Sequence, residues 1–220
     1  MPDHAASPDA LIQALARDLR PVRRLASPWL RALLWLGAVA ALAAALAGFA
    51  DVGAMVRRLT AAPDMGLAVA GSILTAILAA VAAFQTSLPD RRPTWALLPL
   101  PGLLLWIGAS GLGCLRTWLV PGTHAASMGE ARDCLVFIVG VSVPLSILLV
   151  AMLRRGYPLR PNLTAVTGGL AAAAAAATLL NFFHPYDAAA TDLVVHAVAV
   201  TLVVLANRLL SGRALRAAGV

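Results

Sequence analysis

Residues 133–161 read DCLVFIVGVSVPLSILLVAMLRRGYPLRP, and this stretch governs how the rest of the chain is interpreted. Its apolar run from Leu135 to Leu153 carries no charge and is about long enough to cross the hydrocarbon core of a bilayer as a helix. An acid and a cysteine precede the run, whereas arginines follow it. Because cytoplasmic loops carry an excess of basic residues, we expect the arginine end inside the cell and the cysteine end outside.

The composition of the whole chain indicates an integral membrane protein. Of its 220 residues, 60% are apolar and only 12% are charged, which is too little charge to cover the surface of a soluble domain. We interpret the net charge of +7 as the basic excess of cytoplasmic loops, and we expect no direct binding of nucleic acid. The amino terminus lacks the apolar segment of a secretory signal, since the first long apolar run begins near Ala32.

Six apolar segments follow, and each is long enough for a tilted transmembrane helix. Their approximate bounds are 32–50, 66–88, 95–115, 134–153, 163–183 and 191–210. Since lipid offers no partners to peptide groups, we predict an all-α polytopic bundle of six transmembrane helices embedded in the lipid bilayer. The organisation is then a cytoplasmic segment 1–31, a membrane domain 32–211 and a cytoplasmic tail 212–220. Short loops predict that sequence neighbours pack as antiparallel hairpins, and alanine-rich spans are predicted to be packing surfaces.

Arginine and tryptophan positions predict how the bundle sits in the membrane. A cytoplasmic amino terminus leaves 13 of the 17 arginines inside and places only Arg57, Arg58, Arg116 and Arg132 outside. We therefore predict a bacterial inner-membrane protein with both termini in the cytoplasm. The residues that lie near span ends, as an interfacial aromatic belt requires, are Trp29, Trp35, Trp95 and Trp118.

A short amphipathic helix is predicted between Ser7 and Pro21. Ser7 suits the N-cap, Pro8 suits the first helical position, and Pro21 cannot continue the helix. The apolar residues that share one face are Leu11, Ile12, Leu15 and Leu19. The basic residues on or after this helix are Arg17, Arg20, Arg23 and Arg24. The helix either lies on the inner leaflet or inserts its apolar face into a groove of a cytoplasmic protein, and the sequence favours neither.

The predicted topology gathers the reactive side chains at the external end of the bundle. They are Cys114, Cys134, His124, His184 and His196. A disulfide can form in an oxidising envelope, and thiols with imidazoles bind soft or borderline metals. Candidate metal ligands are therefore Cys114, Cys134, His184 and His196, although no C-x-x-C or zinc pattern occurs and we expect no resident cofactor. The alternative is that both cysteines are packing residues or form a plain structural disulfide.

The spans contain almost nothing ionisable, which argues against ion-coupled transport. Catalytic patterns such as H-E-x-x-H or a nucleophile elbow do not occur in the sequence, so an enzyme is not expected. Two alternatives are kept. A small-molecule or metal transporter would have to use the few polar groups Asn181, Asn207 and His196. A thiol-redox membrane enzyme would have to work without a C-x-x-C motif.

Several segments resemble the NrsF-type membrane anti-sigma factors. They are LARDLRPVRRL at 15–25 followed by Pro28-Trp29, WALLPLP at 95–101, GCL at 113–115, the Cys134 segment with Pro144-Leu145, and MLRRGYPLRP at 152–161. Their order and spacing cover nearly the whole chain. The resemblance implies a regulator that holds an extracytoplasmic-function sigma factor at the inner membrane and releases it under heavy-metal or oxidative stress.

The split between thiols outside and an apolar helix inside, taken with the resemblance, assigns residues to the two halves of this function. Segment 1–31 is expected to bind the sigma factor through its apolar helix face. The residues expected to sense the signal are Cys114, Cys134 and His184. One departure is His184-Pro185, where the family pattern has Cys-Pro, so a thiol pair between 134 and 184 is not expected here. A Cys114–Cys134 disulfide and a mixed Cys/His metal site both stay open, as does formation of a homodimer.

Overall fold

The computed structural model describes residues 7–17, 24–119, 128–183 and 190–217, and every regular element in these ranges is helical. The α-helices are α1 (Pro8–Arg17), α2 (Pro28–Ala47), α3 (Val52–Ala61), α4 (Pro63–Thr86), α5 (Leu100–Leu119), α6 (Met128–Leu153), α7 (Pro161–Leu180), α8 (Ala190–Ala206) and α9 (Gly212–Ala217). Shorter helical segments are the 3₁₀ turns Pro93–Leu97 and Arg154–Gly156 and the π-helical Asn207–Ser211. The predicted all-α class is therefore confirmed.

Six of the described segments are long and apolar enough to cross a membrane, as the sequence predicts. They are Pro28–Ala47, Pro63–Thr86, Pro93–Leu115, Ala131–Gly156, Pro161–Leu180 and Leu193–Leu215. The first begins before the predicted residue 32, because Ser27 caps α2. The Ser27 hydroxyl accepts a hydrogen bond from the Leu30 amide at 3.2 Å, and Pro28 occupies the first turn.

The connection between the first two spans contains a helix that the sequence analysis did not predict. Asp51 caps α3 by accepting a hydrogen bond from the Ala54 amide at 2.8 Å. The Arg58 guanidinium donates to the backbone carbonyl of Asn181 at 3.3 Å, which ties α3 to the end of α7. Hydropathy does not predict α3, because this short amphipathic helix has no long apolar run. None of its residues is buried.

The central helix of the bundle is α7, which packs against α4, α6 and α8. All of Ala171–Ala177 are buried, so the predicted role of the alanine-rich span as a packing surface is confirmed. Small residues let the backbones approach closely, since a Cβ on Gly169 would lie 3.1 Å from the Cα of Val204. A hydrogen bond joins the start of α7 to the end of α4, because the Thr164 hydroxyl donates to the Thr86 carbonyl at 3.1 Å.

Helix pairing follows the predicted hairpins only in part. The sequence neighbours α4 and α5, α6 and α7, and α7 and α8 each pack against one another. The sequence neighbours α5 and α6 do not form such a pair, because α5 packs mainly on α4 and α6 packs on α7 and α8. The bundle therefore has an α4–α5 pair and an α6–α8 pair on two sides of α7, and α2 packs mainly on α4.

Candidate functional site

The first candidate site is the apolar face of α1. The helix begins where the sequence predicts, because the Ser7 hydroxyl accepts a hydrogen bond from the Ala10 amide at 3.2 Å. Leu11, Ile12 and Leu15 are 55%, 62% and 63% exposed, and α1 has no buried residue. An exposed apolar face of this kind marks a surface that contacts lipid or a partner protein.

The basic residues assigned to this segment are placed in part. Arg17 and Arg24 are exposed at the end of α1 and before α2. The predicted Leu19, Arg20 and Arg23 lie outside the described residues, so their part of the face stays a prediction. The described half of the segment thus offers three large apolar side chains beside exposed positive charge.

The second candidate site is the end of the bundle that carries the two cysteines, which we call the cysteine end. Both thiols are free. Cys134 is buried on α6 in a cluster with Ile138, Ala176, Leu180 and Ala199, whereas Cys114 lies half-buried on α5. A pairing of the two thiols stays a prediction. His184 and His124 lie outside the described residues.

The thiol of Cys134 occupies an apolar environment. Cys134 is 5% exposed, and the apolar side chains that cluster with it come from α6, α7 and α8. A free cysteine in such surroundings packs as a small apolar residue, and reaction with a metal or an oxidant requires access. In the part of the chain that the structure describes, no group of three or more potential metal ligands occurs. Chemistry at Cys134 would therefore have to separate α6 from α7 and α8.

A cavity lies beside this cluster, and the sequence analysis did not predict it. It has a volume of about 270 Å³ and lies between α4, α5, α7 and α8. His196, named among the candidate ligands, lines this cavity together with Asp64 and Asn181. Four helices supply its walls, so a pattern along any one helix could not have revealed it.

The opposite end of the bundle, which we call the arginine end, contains a buried arginine. Arg31 is only 4% exposed, although the sequence analysis placed it in a cytoplasmic segment. Its Nη2 donates to the carbonyl of Met152, and its guanidinium lies 4.9 Å from the ring centroid of Phe84. Its Nη1 is buried with no hydrogen-bond partner. The Ser27-Pro28 cap is the sequence signal that could have placed Arg31 inside the first span.

Physical chemistry explains how this charge is tolerated. Met152 is in the last turn of α6, where backbone carbonyls lack helical partners and the helix dipole is negative. The electron-rich face of Phe84 adds a cation–π attraction. The cation thus rests on a helix terminus and an aromatic ring.

Trp35 corrects the predicted aromatic belt. It is fully buried, and its Nε1 donates to the carbonyl of Leu145 at 3.2 Å. It therefore belongs to the core and not to the membrane interface. Trp29 is 53% exposed and contacts Trp95 edge to face, with ring centroids 6.3 Å apart. The side chain of Trp118 is not described.

Together, these features define a helical polytopic membrane protein with an exposed amphipathic helix ahead of its first span. The chain belongs to the NrsF family, negative regulator of sigma F, whose family model matches residues 15–216. The match begins at Leu15 and takes in all six spans, so the resemblance seen in the sequence is confirmed. The family description is that of a regulator, and the partner that it implies is a sigma factor. No curated protein and no solved structure matches the chain.

Proposed function

We propose that this protein is an anti-sigma factor of the bacterial inner membrane that sequesters an extracytoplasmic-function sigma factor at the cytoplasmic face. The exposed apolar face of α1 is the observation that carries the proposal. Leu11, Ile12 and Leu15 present one stripe on a helix joined to a membrane bundle. An amphipathic helix laid into an apolar groove is a common mode of protein recognition, and burying one such side chain contributes about 1.5–3 kcal/mol.

The arginines around α1 support the same partner surface. Arg17, Arg20, Arg23 and Arg24 follow the apolar stripe, and Arg154 and Arg155 are exposed at the arginine end of the bundle. Charges at the rim of an interface steer encounter and fix orientation more than they add affinity. In this proposal the apolar face therefore provides most of the affinity for the sigma factor, and the arginines fix its orientation.

Substitution on the two sides of α1 tests this face. The full-length protein in lipid nanodiscs is titrated with each purified sigma factor of the same cell. Wild type is expected to bind one of them, and Leu15→Asp to weaken that binding at least tenfold, because a carboxylate in an apolar groove is costly. Gln13→Asp introduces the same charge on the opposite face and is expected to retain wild-type affinity.

Two results would count against this face. Equal binding by wild type and Leu15→Asp would reject the apolar stripe as the contact. Equal loss in Leu15→Asp and Gln13→Asp would show an effect of net charge. If Leu15→Asp keeps the sigma factor but frees α1 from the bilayer, the stripe is assigned to the inner leaflet.

The releasing signal in this proposal is a redox or heavy-metal change at Cys114, Cys134 and His184. Cys134 is buried in one apolar cluster with Ala176 of α7 and Ala199 of α8, so we expect added bulk or a bond at its sulfur to disturb the packing of α6 on these two helices. Interiors are close-packed and transmit such a disturbance. Converting a mostly bound partner into a mostly free one requires a differential affinity of about 5.5 kcal/mol, which disulfide or metal–thiolate chemistry can supply.

A reporter of the sigma regulon tests the sensing half. Cells carrying wild type are expected to respond to cadmium or peroxide, and Cys134→Ser to change that response. Cys134→Ala has no hydroxyl and keeps a small side chain, so it separates loss of sulfur from introduction of a polar group. An unaltered response in both variants and in Cys114→Ser would remove the thiols from the mechanism.

A further inference from the structure

The cavity at the cysteine end lies apart from both thiols. Its lining includes Asp64 near the start of α4, Asn181 just after α7 and His196 in α8, and neither Cys114 nor Cys134 contributes to it. At about 270 Å³ it is just below the usual range of small-molecule pockets, which is about 300–1,000 Å³. A space of this size can hold a small molecule.

The cavity exists because small side chains from all four helices face the same space. Those residues are Ala68, Ala109, Ser110, Ala177 and Ala197. Elsewhere in the bundle, alanines let helices close upon one another, as along the buried Ala171–Ala176. The space is a cleft that opens at the surface of the bundle, since Ile107, Ala197 and Thr201 in its lining are exposed. A concave, mostly apolar cleft with a few polar groups is the usual form of a small-molecule site.

The walls specify the chemistry of that occupant. Apolar surface predominates, and the lining residues include Trp106 together with Leu103, Ile107 and Leu180. A flat ring packs favourably against an aromatic wall of this kind. An anionic ligand is disfavoured, because it would lie among apolar groups and near the Asp64 carboxylate. Asp64 and His196 also line the cleft and already have partners, so the proposed ligand draws on the apolar walls.

The polar groups in the lining are few, and some are already engaged. The Ser72 hydroxyl donates to the Val69 carbonyl and is bonded to the Thr178 hydroxyl, each at 2.9 Å. The Asn181 amide nitrogen donates to the carbonyls of Ala177 and Thr178 at 3.1 and 3.2 Å. The side-chain oxygen of Asn181 is then oriented away from these two bonds and is one atom of the lining that can accept a hydrogen bond from a ligand hydroxyl.

We propose that this cavity is a binding site for a neutral amphipathic ring compound bearing a hydroxyl group, of the size of a substituted phenol. The ring contacts Trp106 and the aliphatic walls, and the hydroxyl donates to the side-chain oxygen of Asn181. Leu180 lines the cavity and also packs in the cluster of Cys134, so an occupant touches the wall of the thiol's environment. The site itself is independent of the proposed partnership with a sigma factor.

Tryptophan quenching tests the site directly. Full-length protein in nanodiscs is titrated with 4-bromophenol, whose bromine quenches tryptophan fluorescence on contact. Wild type is expected to show saturable quenching. Ala197→Phe fills the cavity and is expected to weaken the apparent affinity at least tenfold. Ala206→Phe is the matched control, since Ala206 is exposed on the same helix and does not line the cavity.

Further measurements separate the cavity from the bilayer. Trp106→Phe removes one of the 5 tryptophans and is expected to abolish the saturable component. Should Ala197→Phe fail to fold, Ser110→Leu fills the same space from α5 and enters the same comparison. Quenching that never saturates, or that is equal in the filled variants and Ala206→Phe, overturns the proposal. Saturable quenching in detergent that disappears in nanodiscs assigns the cavity to a lipid chain and also overturns it.

Discussion

Trp35 and Arg31 each donate a hydrogen bond to a backbone carbonyl of α6, at Leu145 and Met152. These carbonyls lie about two helical turns apart, so α2 is fastened to α6 at two levels of the bundle. The Leu145 carbonyl lies inside α6 and has two lone pairs, so it can accept the indole bond and keep its helical bond, whereas the Met152 carbonyl is in the last turn and lacks a helical partner. Because α2 follows the amino-terminal segment in sequence, these side chains join that segment to the bundle.

Replacement of the buried tryptophan isolates one of these bonds. Trp35→Phe keeps an aromatic ring but leaves the Leu145 carbonyl without the indole donor. We expect the free energy of unfolding to fall by about 1–3 kcal/mol. Trp29→Phe removes the same group from a half-exposed site and is expected to change stability by less than about 0.5 kcal/mol. Denaturation by SDS in mixed micelles measures both, and equal losses would contradict the assignment of Trp35 to the core.

Arg31 allows a sharper test, because its charge and its bulk act in opposite directions. Burial of a cation that keeps one N–H unpaired is costly, whereas the stem fills space between α2, α4 and α6. Arg31→Met keeps the bulk and is expected to be at least as stable as wild type. Arg31→Ala is expected to lose about 2–5 kcal/mol through the cavity that it leaves. If Arg31→Met and Arg31→Ala lose the same free energy of unfolding in SDS titration, the helix terminus and the Phe84 ring stabilise the cation by more than its burial costs.

Hydropathy explains why the sequence does not predict the burial of either side chain. Averaging over a window gives the depth of a residue in the membrane to within a few positions, but it carries no information on which helix face meets a neighbour. Trp35 was assigned to the interface and Arg31 to the cytoplasm because both lie near the end of an apolar run. The neighbours that bury them, Phe84 and Met152, come from distant parts of the chain.

Among the helices, α4 and α5 approach most closely at two glycines. A Cβ on Gly71 would lie 2.5 Å from the backbone nitrogen of Trp106, and one on Gly102 would lie 2.7 Å from that of Thr75. Backbone atoms cannot move aside as flexible side chains do, so alanine at either position forces the two helices apart. The same pair of helices forms two walls of the cavity, and their spacing fixes its shape.

Two glycine substitutions separate this contact from helix propensity. Alanine favours a helix over glycine by about 1 kcal/mol, so both variants gain the same stabilisation from helix propensity. Gly37→Ala has open space around its Cβ and is expected to be neutral or stabilising. Gly71→Ala is expected to destabilise by about 1–3 kcal/mol through overpacking. Thermal denaturation of the purified proteins in detergent compares them, and an equal shift in both would contradict the close approach.

The spans were predictable, whereas their partners were not. Consecutive apolar residues determine whether a segment can cross a bilayer, and all six appear near their expected positions. The pairing of α4 with α7 depends on small residues at matching depths of helices far apart in sequence. The cavity depends on that pairing, and the surroundings of Cys134 depend on the packing of α6 against α7 and α8. The amphipathic α1, by contrast, can be predicted from local sequence, because its capping residue and its apolar residues all lie within or directly before the helix.

For the chain as a whole, orientation decides whether the proposed function is physically possible. The apolar face of α1 can meet a sigma factor only in the cytoplasm, and the thiols can meet an envelope signal only outside. The arginine distribution supports this arrangement, with 13 of 17 on the side assigned to the cytoplasm. Cys134 is unsuited to testing the orientation, since it is only 5% exposed and would resist labelling on either side.

Introduced cysteines at exposed positions provide the test. In a Cys114→Ser, Cys134→Ser background, Ala61→Cys at the end of α3 and Thr94→Cys before α5 place exposed thiols at opposite ends of the bundle. A maleimide that cannot cross lipid is expected to label Ala61→Cys in intact spheroplasts and Thr94→Cys only after lysis. Both are exposed, so a difference in labelling reports side and not burial. The reverse pattern would put α1 outside the cell, where no sigma factor is present, and would overturn the proposed function.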